Sequence, residues 1–182
     1  MRGGVLLLAG CSNAVAPADD TWWPPFDTDP SRDSAEAGDG RAEIVLNEVL
    51  ADSKNGMVNE LGAPADWVEL YNASGETVDL TGWSLSDSAE DPWVFTASVT
   101  LKPEQLLLIW CDEVDDESAE ALHADFRLAQ SGERLTLRDA AGDGIDTVDY
   151  PRLETDQSWG RIPDGAESWS YTAEPTPGAN NR

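Results

Sequence analysis

The chain has 182 residues, 36 of them acidic against 11 basic and a single histidine, for a formal net charge of −25. Affinity for a polyanion comes from cationic side chains that displace counterions, so nucleic acid is a poor partner for such a surface. Two cysteines are too few for a disulfide framework, and no segment approaches the ~18–20 apolar residues needed to span a bilayer.

In chain order, Arg2, the run Val5-Leu6-Leu7-Leu8 and the pair Ala9-Gly10 supply the positive start, apolar stretch and small residues of a secretory signal, in short form. The tetrad Leu8-Ala9-Gly10-Cys11 resembles the processing site of bacterial lipoproteins. That resemblance implies a signal peptide over residues 1–10 and a Cys11 bearing a diacylglycerol lipid, with palmitate among its acyl chains. One chain binds a membrane only marginally, whereas several, at about 0.8 kcal/mol per buried methylene, anchor it durably. Ser12, where an aspartate would imply retention at the inner membrane, points by the same resemblance to the outer membrane or cell surface of a bacterial envelope. If Cys11 is not acylated, a Cys11–Cys111 disulfide is the alternative.

Residues 11–42 are acidic, proline-rich and poor in large aliphatic side chains. Such a segment buries too little surface to offset chain entropy and reads as a disordered linker, spanning roughly 30 Å as a coil. Trp22, Trp23 and Phe26 interrupt it, as interfacial anchors, as cover for the following domain, or as decoration.

Residues 43–182 change character to short runs of β-forming residues separated by turn signals. The expected strands are Ile44–Leu50, Trp67–Asn72, Thr77–Leu85, Trp93–Phe95, Gln105–Trp110, Phe126–Leu128, Arg134–Arg138 and Ile145–Tyr150. Along the second, Val68 and Leu70 share one face and Trp67, Glu69 and Tyr71 the other. Asp115–Ala124 is the exception, with helical spacing for one or two turns. Many short strands in about 140 residues predict an all-β, antiparallel β-sandwich with one core. The expected core is Leu46, Val68, Leu70, Leu80, Trp83, Leu85, Phe95, Leu106, Leu108, Leu128, Leu135, Leu137 and Val148. Cys111 is expected to be a small buried apolar residue at a strand end, since Asp112-Glu113 oppose thiolate formation.

Five segments resemble the lamin tail domain in order: Leu46-Asn47-Glu48-Val49, Asp66–Asn72, Val78–Asp87, Ser158–Gly165 and Pro175–Asn180. The third carries Leu80-Thr81-Gly82-Trp83-Ser84-Leu85-Ser86-Asp87. The resemblance covers about residues 43–181 and implies an immunoglobulin-like sandwich that acts as a noncatalytic interaction or structural module. Within it, Gly82 permits a bend or close backbone approach before Trp83. Asn47, Glu48, Trp67, Glu69, Gly82, Trp83 and Arg161 form the structural motif. Asn47, Glu48, Glu69 and Arg161 are expected to build a polar network, the guanidinium satisfying a carboxylate and loop carbonyls. Pro175–Asn180 is expected to seal an edge strand.

Chemistry is sparse. His123, the sole histidine, lies in an acidic stretch without a nucleophile elbow and is expected at the solvated surface. Zinc spacings and phosphate-cradling glycine loops are missing. Calcium has weak candidates in Asp139, Asp143 and Asp146, which lack the closing glutamate of an EF-hand loop. Trp159, Trp169 and Tyr171 are candidates for stacking on a glycan. The expected function is therefore a lipid-anchored noncatalytic module of the bacterial cell envelope. Calcium or carbohydrate binding, and a carboxylate- or metal-dependent hydrolase, are the rivals. The partner and the oligomeric state are not encoded legibly.

Overall fold

The computed structural model describes residues 44–87, 91–114 and 121–182. The expected signal peptide, Cys11 and the expected linker with Trp22, Trp23 and Phe26 lie outside the described residues, as do residues 115–120 of the expected helical turns.

Among the described residues twelve strands form: β1 (Ile44–Leu50), β2 (Asp66–Asn72), β3 (Val78–Asp79), β4 (Ser84–Ser86), β5 (Trp93–Val94), β6 (Thr100–Leu101), β7 (Leu106–Cys111), β8 (His123–Ala124), β9 (Glu133–Arg138), β10 (Gly144–Tyr150), β11 (Ser158–Arg161) and β12 (Trp169–Thr172). One sheet has the order β12-β11-β1-β2-β7-β8, a second β10-β9-β4-β5, and β3 pairs with β6. The expected all-β sandwich is present. Every pairing is antiparallel except the short parallel contact of β7 with β8. Among the described residues no helix is long and apolar enough to cross a membrane.

Alternation builds the core. Val68 and Leu70 of β2, Ile109 and Cys111 of β7, and Ile44, Leu46 and Val49 of β1 face inward. They meet Leu85 of β4, Leu135 and Leu137 of β9, and Val148 and Tyr150 of β10 in one cluster. The opposite face of the larger sheet carries a second cluster of Leu50, Ala65, Trp67 and Trp110, with Leu108 against it. Cys111 ends β7 fully inside the core, and burial pushes its thiol pKa up.

Several expectations are corrected. Leu106 and Leu108 are only half-buried; Leu107, Ile109 and Cys111 take the inward positions, one residue out of the expected phase. Six consecutive apolar residues give no alternation from which to choose between the two faces. The expected strand Thr77–Leu85 is two strands in different sheets. Gly82 divides them at φ 80°, its N–H donating to Phe95 O at 2.9 Å. A Cβ there would lie 3.2 Å from Ala140 Cβ, so the left-handed backbone and the close approach both select glycine. Phe126–Leu128 is no strand, only a bridge of Arg127 to Asp112. His123 and Ala124, placed in helical turns by spacing, pair with β7 instead.

The inward phase of β7 is testable. Ile109→Ala should cost about 2–5 kcal/mol in urea unfolding, the range for a truncated core residue. Leu106→Ala should cost less than half as much; equal losses would reject this assignment of faces.

Candidate functional site

Two polar centres are held by the larger sheet. The first begins with an irregularity: the register of β1 against β2 shifts between Leu46 and Glu48, so that Glu48 lies directly opposite Glu69. Both carboxylates are fully buried, on the face turned away from the main core. Neither has a cation in ion-pair range among the described residues. Hydroxyls, amides and backbone N–H groups satisfy them instead. Ser158 and Thr176 donate their hydroxyls to Glu48, the latter at 3.0 Å. Gly178 N–H donates to Glu69 at 2.5 Å, and the Asn47 side-chain amide donates at 3.5 Å.

These donors bring the C-terminal segment across the sheet. Asn181, only 5% exposed, donates its amide to Arg161 O at 2.9 Å and to Asn47 O at 3.4 Å, and its backbone N–H to Asp164 at 3.0 Å. Thr176 and Asn181 also share a short hydrogen bond. Gly160 makes room: a Cβ there would sit 3.0 Å from Asn181 Nδ2 and 3.2 Å from Glu48 Cγ. Residues 175–181 therefore cover the face of β11, β1 and β2, which corrects the expectation of an edge seal. The edge strand β12 is left beside them. The cause is the carboxylate pair, whose lone pairs need donors more than the edge needs cover.

Asn47 joins the same centre to the next loop, donating to Asp164 at 2.9 Å and accepting from Gly165 N–H at 3.1 Å. Arg161 points to the opposite side of the sheet. Its guanidinium donates to Leu46 O at 2.8 Å, Ala166 O at 2.6 Å and Asp146 at 3.0 Å, and lies 4.8 Å from the Trp169 ring centre. Asp146 also accepts from Leu46 N–H at 2.8 Å, tying β10 of one sheet to β1 and β11 of the other. Arg161 thus meets Asp146, a residue singled out for calcium, and not Glu48 or Glu69. Asp139, another calcium candidate, accepts from Ala141 and Asp143 N–H and shapes its own hairpin turn. Among the described residues no group of three His, Cys, Asp or Glu side chains is placed to hold a metal ion.

The second centre lies where β1 hands over to β2 and β7 ends. A cleft of about 370 Å³ is lined by Ser53, Leu61, Asp66, Asp112, Arg127 and Leu128, among others. His123 stands beside it and is 8% exposed, not at the solvated surface as its acidic surroundings suggested. Its Nδ1 lies 2.9 Å from Asp112 and its Nε2 2.6 Å from Glu60. Glu60 could not be paired with it from sequence, being 63 positions away. Among the described residues no serine, cysteine or threonine makes a hydrogen bond to the ring.

Trp159, Trp169 and Tyr171 form a ladder on β11 and β12. Trp159 and Trp169 are parallel within 10° at 6.3 Å, and Tyr171 meets Trp159 edge-on at 4.6 Å. With Arg161 over Trp169, the ring faces that would stack on a sugar are turned toward one another.

The geometry is that of a scaffold with its polar groups engaged in holding loops and a tail. Residues 38–152 match the Lamin Tail Domain family. The chain belongs to that family. Lamin tail domains are immunoglobulin-like and non-enzymatic, in keeping with the sandwich above. The match includes Asn47, Glu48, Glu69, Gly82, Trp83 and Asp146 and ends before Ser158, Arg161 and the covering tail. Among curated proteins no match was found.

Burial raises the Glu69 pKa to about 7 from an ordinary 4.5; the Glu48 charge adds to the rise, while the Gly178 and Asn47 donors restrain it. Burial also lifts Glu48, against the pull of Ser158 and Thr176. An unfolded Glu69 loses its proton near 4.5 and the folded one near 7. Its contribution to stability is therefore complete below 4.5 and disappears as pH rises through 7. The loss should be on the order of 3 kcal/mol. Wild type should melt at a lower temperature at pH 8 than at pH 5, and Glu69→Gln should remove much of that difference. Parallel melting curves for the two proteins across this range would refute the assignment.

Proposed function

We propose that this lamin tail domain protein is a noncatalytic interaction and structural module, held at the bacterial cell envelope by lipid on Cys11. The observation that carries the noncatalytic part is the use of the buried acids. Glu48, Glu69 and Asp146 each hold a strand, loop or tail in place, and among the described residues none of the three stands with a nucleophile in a cleft. An enzyme of the two-carboxylate or metal-dependent kind needs such groups exposed to substrate.

Anchoring rests on the tetrad Leu8-Ala9-Gly10-Cys11 and on the acidic linker behind it. A domain carrying a large negative charge is repelled by anionic headgroups, so attachment through acyl chains and a tether suits it better than direct adsorption. Outer-membrane or cell-surface placement follows from Ser12 by resemblance. The partner would then be met in trans, in the aqueous space the tether reaches.

Metabolic labelling with palmitate separates the readings. Wild-type protein expressed in a bacterial host should incorporate label and partition with membranes, and Cys11→Ser should do neither. Equal labelling of the two proteins ends the proposal of acylation at this residue.

A further inference from the structure

His123 carries a second inference, independent of the lipid anchor. A neutral imidazole has one N–H and one lone pair; only the imidazolium donates from both nitrogens. Here both nitrogens face carboxylates, Asp112 at 2.9 Å on Nδ1 and Glu60 at 2.6 Å on Nε2. These are the charged groups on the ring among the described residues, one from the end of β7 and one from the β1–β2 loop. The arrangement is complete only with two ring protons.

We propose that His123 is a proton-operated latch that fastens the β1–β2 loop, residues Ser53–Pro64, to the end of the sandwich. Loss of one ring proton leaves a carboxylate facing a lone pair, and Glu60 is the partner that yields. Asp112 is nearly buried, with a side chain 9% exposed, and also accepts from Asn59 at 2.9 Å and Val114 N–H at 3.3 Å. The Glu60 side chain is 30% exposed, and His123 is its one side-chain partner among the described residues. Burial pulls the His123 pKa down, but the hydrogen bonds to Asp112 and Glu60 outweigh it and the net shift is upward from 6.5. The latch therefore holds through the ordinary imidazole range and loosens as pH rises above it.

The loop has something to reveal. Met57, Val58 and Leu61 are three of the five exposed large apolar side chains among the described residues, at 41%, 50% and 59%. The loop also supplies Asn59, Leu61, Ala63 and Pro64 to the wall of the 370 Å³ cleft. Its base stays fixed, because Lys54 and Asn55 N–H both donate to Asp156 at 2.7 and 3.0 Å. Asn59 keeps its own bond to Asp112 at 2.9 Å, so loosening at Glu60 frees the tip of the arch around Glu60 and Leu61 between held points and shifts the Leu61 side of the cleft wall.

The lone histidine makes the experiment direct. In a proton NMR titration of the full chain from pH 5.5 to 9, the imidazole C–H signal should titrate with a midpoint above 6.5. The Met57 methyl signal should move with the same midpoint. Glu60→Gln, a change at a half-exposed loop position, should lower the histidine midpoint and uncouple the methyl signal from it. Because Met57 also borders Pro175 and Pro177 of the tail that Glu69 holds, the control is made in a Glu69→Gln background, where His123→Gln should leave the methyl signal constant across the range. A Met57 signal that ignores the histidine titration in wild type, or a midpoint at or below 6.5, overturns the latch. If His123→Gln does not fold, the wild-type and Glu60→Gln titrations decide the matter alone.

Discussion

Two carboxylates opposite one another on neighbouring strands, buried and without a cation among the described residues, are the constraint from which much of this molecule follows. Glu48 and Glu69 cannot both be ionised cheaply at such proximity, and neither can be left without donors. The sheet alone cannot supply those donors, because its own N–H groups are committed to the ladders. Ser158 from the next strand, the Asn47 amide at the irregular step of β1, and Thr176 and Gly178 from the tail fill the need. The course of the last eight residues is thus set by hydrogen-bond demand, and so is the absence of a side chain at Gly160. A hydrophobic pair at these positions would remove the demand and with it the reason for the tail to lie where it does.

On the other side of the same strands, Arg161 and Asp146 perform a related task between sheets. A sandwich held by apolar packing alone leaves its two sheets free to slide by small amounts, since dispersion is not directional. The guanidinium, held by Leu46 O and Ala166 O as well as by Asp146, fixes β10 against β1 and β11 through bonds that tolerate little displacement. Both sheets are irregular nearby, at Leu46/Glu48 in β1 and Gly144/Asp146 in β10, and the irregularities turn the participating groups toward each other. The paired charges contribute little net stability relative to an apolar filling. Their effect is on register and orientation.

The parts legible in the sequence are those encoded by local periodicity or by a residue with one use. Strand β2 alternates, so its faces could be assigned from Val68 and Leu70. Gly82 before Trp83 announced a special backbone, although not that it separates two sheets. Strand β7 was visible as a strand but not as a phase, since Leu106 to Cys111 is apolar throughout and either face satisfies the pattern. The polar network was visible as a set of residue types. Its partners were not, because Glu48 meets Thr176 across 128 positions and Arg161 meets Leu46 across 115. His123 shows the same limit in sharper form: composition described its neighbours in sequence, while its burial depends on Trp110 beside it in β7 and Glu60 from a distant loop.

The distribution of engaged and free groups indicates where such a domain can recognise anything. The inner faces of both sheets are packed on each other, and the outer face around β1 is covered by the tail. The aromatic ladder on β11 and β12 stacks on itself. Among the described residues, the end of the sandwich formed by the β1–β2 loop, the close of β7 and residues 127–130 combines exposed apolar side chains with a cleft open to solvent. Loops on a rigid scaffold are the usual place for recognition because they vary without disturbing the core. Here the loop is joined to the scaffold through the His123 imidazole, whose pKa its two carboxylate partners hold above the ordinary 6.5, so the local proton concentration acts on this end of the sandwich.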